Sequence, residues 1–228
     1  MGPAVEGVVT AIEAAAERPG RVAVYVDGAL AAVLDARVAA QAALAVGQVV
    51  SAEQLDLLIA QDIAQRARTK AVRLLEVRDR SRWELQTRLR RAGFDANIIA
   101  ATFDWLESLG YLDDARFALH YALEKYAKGW GPARIRSELG HRGVSRDLVD
   151  RALAQLGGED DTSGGEKDQE QLQLLLQEVT RRFGRAFKED RDKASKRIAG
   201  FLLRRGHDWD MVQKVIHVLE FEAQEHNN

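Results

Sequence analysis

The spacing of apolar residues changes near residue 50 of this 228-residue chain. Before that point, VEGVVTAIEA and RVAVYVDGALAAVLD carry β-branched residues that partly alternate with small or polar ones. This pattern predicts strands near 5–13, 21–26 and 29–34. Asp27 and Gly28 separate the last two, and Asp-Gly is typical of a hairpin turn in which both central residues have positive φ. We therefore expect a small antiparallel sheet.

From Ser51 onward, apolar residues recur at intervals of three and four, which indicates amphipathic helices. Ser51 and Gln54 have the spacing of a capping box, so a helix is expected to begin there. The 28 residues that start at Ser51 contain no helix breaker, which predicts one long helix or two joined smoothly. Upstream, Asp35 is expected to cap a short helix over 36–45.

One apolar pattern occurs three times, and its copies align on Gly93, Gly143 and Gly206. Positions 8 and 4 residues before the glycine, and 5, 9 and 13 after it, are apolar or nearly so in each copy. The copies occupy 81–106, 131–156 and 194–219. Spacing by four on both sides of a glycine predicts two helices with facing apolar stripes. The glycine would end the first helix, where positive φ causes no Cβ strain.

Asp95, Ser145 and Asp208, two residues after these glycines, are expected to cap the second helix of each pair. A further helix precedes each pair, over 66–78, 115–128 and about 168–183. Each copy is thus a three-helix module, and short helix pairs bury their stripes only by stacking in an array. We expect these parts: an N-terminal β region, 1–50; a long helix and first module, 51–114; a second module, 115–156; a flexible acidic linker, 157–165; and a third module, 166–228.

Composition narrows the class of protein. The chain has no cysteine and no apolar run of about 18 residues, and MGPAVEGVV lacks the order of a secretory signal. We therefore expect a cytoplasmic protein without a membrane span. Its net charge of −2 is unevenly distributed, because 1–65 carries 3 basic and 8 acidic residues while 66–156 carries 18 and 12. Such segregation is compatible with an anionic partner or with a solvated surface.

Two polar segments contain side chains that could form a metal site or an acid–base pair. GYLDD places adjacent acids at Asp113 and Asp114, but either is expected to cap the following helix. HDWD, at 207–210, occupies an inter-helix turn that the other copies fill with FDAN and VSRD. The sequence contains no paired-histidine spacing and no phosphate-binding loop. We therefore expect no catalytic residue, metal ion or cofactor, and the chain is not predicted to be an enzyme.

Basic residues cluster along the first helix of each pair, most of them near its end. The helix dipole alone explains such an arrangement, and a basic ridge for phosphates or an acidic protein surface explains it as well. Trp130 lies beside glycines and is expected to be exposed to a partner. The candidate partner-binding or DNA-binding residues are Arg88, Arg90, Arg91, Arg134, Arg136, Arg142, Lys196, Arg197, Arg204, Arg205 and Trp130.

Three segments together resemble the RecX regulatory proteins of bacteria. They are RSRWEL from Arg80 to Leu85, GYLDDARFA from Gly110 to Ala118, and KGWGPARIRSELGHRGV from Lys128 to Val144. The resemblance is close over about 70–156 and weaker over the third copy. It implies a mainly α fold of tandem three-helix repeats in an elongated, curved array, here with the small N-terminal β region.

The resemblance also implies binding to the RecA recombinase filament and inhibition of its ATPase, strand-exchange and co-protease activities. Recombinational DNA repair and the SOS response would be modulated in this way. A monomer is expected, and single- or double-stranded DNA is a further candidate partner. The alternatives are a free-standing DNA-binding helical module and a helical adaptor for another partner. Acids in the turns, such as Asp95 and Asp208, disfavour the first, because a recognition helix needs donors there.

Overall fold

The computed structural model describes residues 6–16, 19–157 and 164–225. Within them, it contains four strands and ten helices. The strands are β1 Glu6–Ala14, β2 Arg21–Val26, β3 Ala29–Asp35 and β4 Val49–Ser51. The helices are α1 Ala36–Gln41, α2 Ala52–Val77, α3 Arg82–Arg91, α4 Ala96–Ser108, α5 Asp114–Ala127, α6 Pro132–His141, α7 Arg146–Gly157, α8 Gly164–Glu189, α9 Arg191–Arg204 and α10 Trp209–Glu225. The predicted mainly α fold with a small N-terminal antiparallel sheet is confirmed.

The sheet has the strand order β3-β2-β1-β4, and every neighbouring pair is antiparallel. Asp27 and Gly28 join β2 to β3 with φ of 50° and 82°, as the hairpin prediction requires. The sequence did not predict β4, because Val49–Ser51 is too short to show an alternating pattern. Its pairing with β1 places Val50 in the core.

One face of the sheet packs on α1 and the first half of α2. The core there contains Val9, Val24, Leu34, Val38 and Leu58. A buried ion pair accompanies it, because Arg21 Nη2 lies 2.8 Å from Asp62 Oδ2. The other oxygen of Asp62 accepts the amide hydrogen of Asp35 at 2.7 Å. The Asp62 carboxylate therefore ties the end of β3 to α2.

The helix boundaries match the capping signals where these were strongest. Ser51 and Gln54 form the predicted capping box, and α2 runs unbroken for 26 residues. Asp35 caps α1, but this helix ends at Gln41, earlier than expected, and Ala43 adopts φ of 50° in the turn that follows. In the third copy, Asp190 is the N-cap, so α9 begins before the position that alignment on the glycines suggested.

The three repeat glycines lie in equivalent turns. Gly93, Gly143 and Gly206 have φ of 88°, 74° and 85°. The residue after each donates its amide hydrogen to the carbonyl five residues earlier, at 3.2, 3.1 and 3.2 Å. This bond is typical of a helix end that closes on a left-handed glycine. The leucines four residues before the glycines are fully buried in every copy. The three copies therefore form the same helix–turn–helix unit.

We use first module for the second half of α2 with α3 and α4, second module for α5–α7, and third module for α8–α10. The second has a core around Ile135 and Leu139, and the third has one around Ile198 and Leu202. Helix α8 is longer than the expected 168–183. Most of the predicted acidic linker, residues 158–163, lies outside the described residues.

Contacts divide the chain into two compact units. One comprises Met1–Arg78 with Leu85–Tyr111, and the other comprises Asp79–Glu84 with Leu112–Asn228. The first turn of α3 therefore belongs with the second and third modules. Among the described helices, no segment is both long enough and apolar enough to cross a membrane.

Candidate partner-binding surfaces

The acidic pair of GYLDD caps two helices. Asp113 is the N-cap of α5, and its Oδ1 accepts the amide hydrogens of Ala115 and Arg116 at 2.9 and 3.0 Å. Asp114 Oδ1 accepts the amide hydrogen of Arg82, at the start of α3, at 2.7 Å. Both carboxylates therefore satisfy backbone donors at helix starts. The capping of the following helix by Asp113 was predicted, whereas the bond from Asp114 to the start of α3 was not.

His207 and Asp208 of HDWD also have structural roles. His207 is buried, and its Nε2 lies 3.0 Å from the carbonyl oxygen of Gly129. Asp208 Oδ1 accepts the amide hydrogen of Met211 at 2.8 Å and so caps α10. Within the described residues, no group of three or more histidine, aspartate or glutamate side chains is placed to hold a metal ion.

The turn between α6 and α7 packs on the first turn of α3. A Cβ at Gly143 would come under 3.0 Å from Cβ of Trp83, so the two segments touch without room for a side chain. The hydroxyl of Ser81 donates to the carbonyl oxygen of Arg142. The guanidinium of Arg142 lies 2.8 Å from Glu84 Oε1. A glycine, an arginine and an acid thus form this junction.

The same kind of contact joins the α9–α10 turn to the start of α6. The amide of Gly131 donates to the carbonyl of Arg205 at 2.8 Å, and Ala133 donates to the carbonyl of Gly206 at 3.2 Å. Arg205 binds Glu178 with both terminal nitrogens, at 2.6 and 2.8 Å. It also donates to the carbonyl of Lys128 at 3.2 Å. The third module is therefore anchored on the second through backbone and side-chain bonds together.

These junctions change the roles of two candidate residues. Arg142 and Arg205 were grouped with exposed cations because they precede the repeat glycines. Their side chains are only 28% and 21% exposed, and each pairs with a carboxylate. Each guanidinium also lies over an aromatic ring, Arg142 over Tyr121 at 4.8 Å and Arg205 over Phe201 at 4.7 Å. Their geometry suits holding a turn in place.

Trp130 is half-buried and so less exposed than expected, and its role in partner binding stays a prediction. The guanidinium of Arg134 lies 3.9 Å from the centroid of its ring, and the Trp130 carbonyl accepts a hydrogen bond from Gln171 at 3.4 Å. The loop is closely packed at the next residue, because a Cβ at Gly131 would overlap the backbone of Gly206.

Arg134 is half-buried over the Trp130 ring, and the remaining seven candidates are accessible. Arg136 is about half exposed and pairs with Asp150, its Nη2 lying 3.1 Å from the carboxylate. The other six side chains are exposed, and they lie in two places. Arg88, Arg90 and Arg91 are in the last turn of α3 and belong to the first unit, whereas Lys196, Arg197 and Arg204 are on α9 in the second.

The third module also gathers cations around a pair of aromatic rings. Phe183 and Phe201 meet edge to face with centroids 5.5 Å apart. Arg182 lies 4.9 Å from the Phe201 ring and Arg197 lies 5.9 Å from the Phe183 ring. We call Arg182, Arg197 and Arg205 the arginine cluster. Arg182 is not among the candidates predicted from the sequence. Its position next to Phe183, a residue of the apolar stripe, could have indicated that it lies beside aromatic rings.

Three family models match successive parts of the chain. They describe the first three-helix domain of RecX over residues 67–106, the second over 113–153 and the third over 168–216. These ranges follow the three copies found from the glycine alignment. The third copy, which resembles the family more weakly in its sequence, therefore also matches a RecX family model.

Curated relatives and solved structures agree with the family models. Regulatory protein RecX of Escherichia coli (strain SE11) is 33% identical over 156 residues, covering 64% of this chain and 87% of the relative. Regulatory protein RecX of Clostridium acetobutylicum is 24% identical, covering 92% and 95%. A crystal structure of regulatory protein RecX covers 92% of this chain and 98% of its own with a TM-score of 0.66 at 20% identity. That of RecX from Lactobacillus salivarius covers 71% and 99%, with a TM-score of 0.61 at 19% identity. The structural matches show a shared fold.

Proposed function

The chain belongs to the RecX family of regulatory proteins, and from this we propose that it binds the RecA recombinase filament and opposes its ATPase, strand-exchange and co-protease activities. Recombinational DNA repair and the SOS response would be limited as a result. The observation that carries the proposal is the set of three consecutive RecX domain matches, supported by 33% identity to an Escherichia coli relative.

A filament presents the same surface repeatedly, and a chain of serial modules presents several surfaces to it. Once one module binds, the next is held near its own site, so weak contacts combine into a useful affinity. The junctions at Gly143 and Gly206 support this reasoning, because the turn at Gly143 packs on the Trp83 side chain and the turn at Gly206 packs on the backbone of Arg134. Modules held in this way bind with less loss of freedom than modules on a loose tether.

The exposed cations of α9, together with Arg182, are the best candidates for the contact surface in the second unit. Lys196, Arg197 and Arg204 project from one helix, and Arg182 lies beside them near Phe201. Such a surface suits acidic side chains of a protein or phosphates of the bound DNA. Arg142 and Arg205 serve the junctions in this proposal. Arg88, Arg90 and Arg91 form a second basic surface on α3.

RecA ATPase measured on single-stranded DNA tests the proposal. Addition of the chain at a small fraction of the RecA concentration should reduce hydrolysis in a dose-dependent manner. A second DNA-dependent ATPase without kinship to RecA serves as the control, because simple sequestration of DNA would inhibit both. Unchanged ATP hydrolysis by RecA at equimolar protein would overturn the proposal.

A free-standing DNA-binding module is the second candidate. It is disfavoured because Asp95 and Asp208 place carboxylates at the N-terminal ends of α4 and α10, where a recognition helix would approach phosphates. Stronger co-sedimentation with preformed RecA filaments than with equal amounts of bare DNA would support regulation of RecA. Equal co-sedimentation with both would favour the DNA-binding module.

A further inference from the structure

A groove in the first unit lies where the sheet, α2 and the α3–α4 turn meet. Its volume is about 620 Å³, and its walls include Gly20, Arg37, Thr69 and Phe94. This volume lies within the range of small-molecule pockets, about 300–1,000 Å³. It is large enough for a short stretch of an extended strand. None of the candidate residues named above lines this groove.

Three cations line the groove from one helix. Arg66, Lys70 and Arg73 follow each other on α2 at intervals of four and three residues, so they lie on one face over about 10 Å of helix length. All three side chains are exposed. Among the described residues, they make no hydrogen bond or ion pair, so their positive charges are available to a ligand.

The acid in the groove is already paired. Asp35 Oδ1 accepts the amide hydrogen of Arg37 at 2.9 Å and its Nε hydrogen at 3.1 Å, and Oδ2 accepts from Arg37 Nη2 at 3.2 Å. Asp35 and Arg37 therefore balance each other, and the three cations of α2 set the charge of the groove.

The other lining groups suit a nucleic acid. Thr69 and Gln65 add a hydroxyl and an amide to the cations, and such side chains commonly contact phosphate oxygens and sugars. Phe94 is half-buried on the wall and supplies an aromatic ring. A basic track beside an aromatic ring is the usual arrangement of sites for single strands, because backbone charge and base stacking are then both satisfied.

We propose that this groove binds the phosphodiester backbone of single-stranded nucleic acid through Arg66, Lys70 and Arg73, with a base against Phe94. The site is distinct from the exposed cations of α3 and α9. It does not depend on RecA, so its test and the test of RecA regulation fail separately.

The test compares two variants of the full chain that remove equal charge from one face of one helix. The groove variant is Arg66→Gln with Lys70→Gln and Arg73→Gln. The control is Arg181→Gln with Arg185→Gln and Lys188→Gln, which has the same spacing on α8 and equally exposed side chains. Binding to a labelled oligothymidylate of about 15 nucleotides is followed by fluorescence anisotropy across a range of salt concentrations.

The groove variant should bind at least about tenfold more weakly at about 0.1 M salt. The salt slope, which is the slope of log Kobs against log salt concentration, should decrease in magnitude by about 2, because each lost phosphate contact removes about 0.7. The control should match the unaltered protein. If the groove variant fails to fold by circular dichroism, Lys70→Gln alone should lower the slope by about 0.7. Equal losses in groove and control variants, or no loss in the groove variant, would overturn the proposal.

Two further arms identify the ligand. Phe94→Leu keeps an apolar side chain and removes the aromatic face, so the Kd should rise several-fold with the salt slope unchanged. An unaffected Kd would overturn the assignment to a single strand.

Displacement of the oligothymidylate by polyglutamate as effectively as by unlabelled strand would assign the groove to an acidic protein. A duplex that binds as tightly through the same cations would also overturn the assignment.

Discussion

The backbone of Gly206 lies so close to Arg134 that a Cβ at residue 206 would come under 3.0 Å from the Arg134 nitrogen. Gly93 has nearly the same φ, 88° against 85°, yet no atom of the described chain lies within 4 Å of its Cβ position. The two glycines therefore share one conformational requirement and differ in packing. A comparison of substitutions at the two positions therefore separates the cost of backbone strain from the cost of a steric clash across the junction.

Substitution of each glycine by alanine should reveal that difference. Gly93→Ala should lower the free energy of unfolding by about 1–2 kcal/mol, the cost of a left-handed non-glycine residue. Gly206→Ala should lower it by about 3 kcal/mol or more, because the backbones must also separate. Urea unfolding followed by circular dichroism measures both. Equal losses would show that the junction tolerates a methyl group.

The ion pair between Arg205 and Glu178 should contribute to stability more than a surface pair does. A double-mutant cycle with Arg205→Met and Glu178→Gln should give a coupling energy of about 1–2 kcal/mol, because the pair is bidentate and mostly shielded from water. The exposed pair of Arg151 and Asp147 is the control, and its coupling should be below about 0.5 kcal/mol. A coupling no larger than that of the control would contradict the prediction.

Acid should weaken the packing around His207. Burial lowers the pKa of His207, and Arg205 lowers it further, while the bond to the Gly129 carbonyl and the nearby Asp208 and Glu178 oppose the shift. Because the unfolded chain binds a proton more readily, stability should fall as pH drops below about 6.5 toward the lower folded pKa, and it should be regained as pH rises. The slope cannot exceed about 1.4 kcal/mol per pH unit for one proton.

Unfolding measured between about pH 5 and 8 tests this dependence. His207→Asn should flatten the slope across that range, because the residue that titrates is removed. His217→Asn, at an exposed position on α10, is the matched control and should retain the slope of the unaltered protein. A slope that persists in the His207 variant would assign the dependence to other groups.

Charge reversal on α9 should weaken RecA inhibition. Lys196→Glu with Arg197→Glu and Arg204→Glu should raise the concentration for half-inhibition by about tenfold, because exposed interface charges govern encounter with the partner. The control neutralises Arg146, Arg151 and Arg185, which are exposed and already paired with acids one helical turn away. Inhibition should persist in the control. If reversal leaves half-inhibition unchanged while helicity is intact, α9 is not the contact surface.

Local signals predicted much of the fold. The Asp27-Gly28 turn, the Ser51 capping box and the glycine that ends the first helix of each pair depend on residues only a few positions apart. β4 was missed because three residues cannot display a period. Its identity as a strand depends on pairing with β1, some forty residues earlier in the chain.

The sites were less predictable because their contacts are not local. Arg142 meets Glu84 across 58 positions, and Arg205 bonds the Lys128 carbonyl across 77. Sequence alone grouped both with the exposed cations that share their place before a repeat glycine.

The junctions also fix the order of the repeats. Nine residues before the repeat glycine the copies carry Glu84, Arg134 and Arg197, and the first of these neutralises Arg142. In a chain with the second and third copies exchanged, Arg142 would instead meet Arg197, and two cations would share one partly buried contact. Shuffled genes of this kind should therefore encode chains that assemble poorly even though every helix is retained.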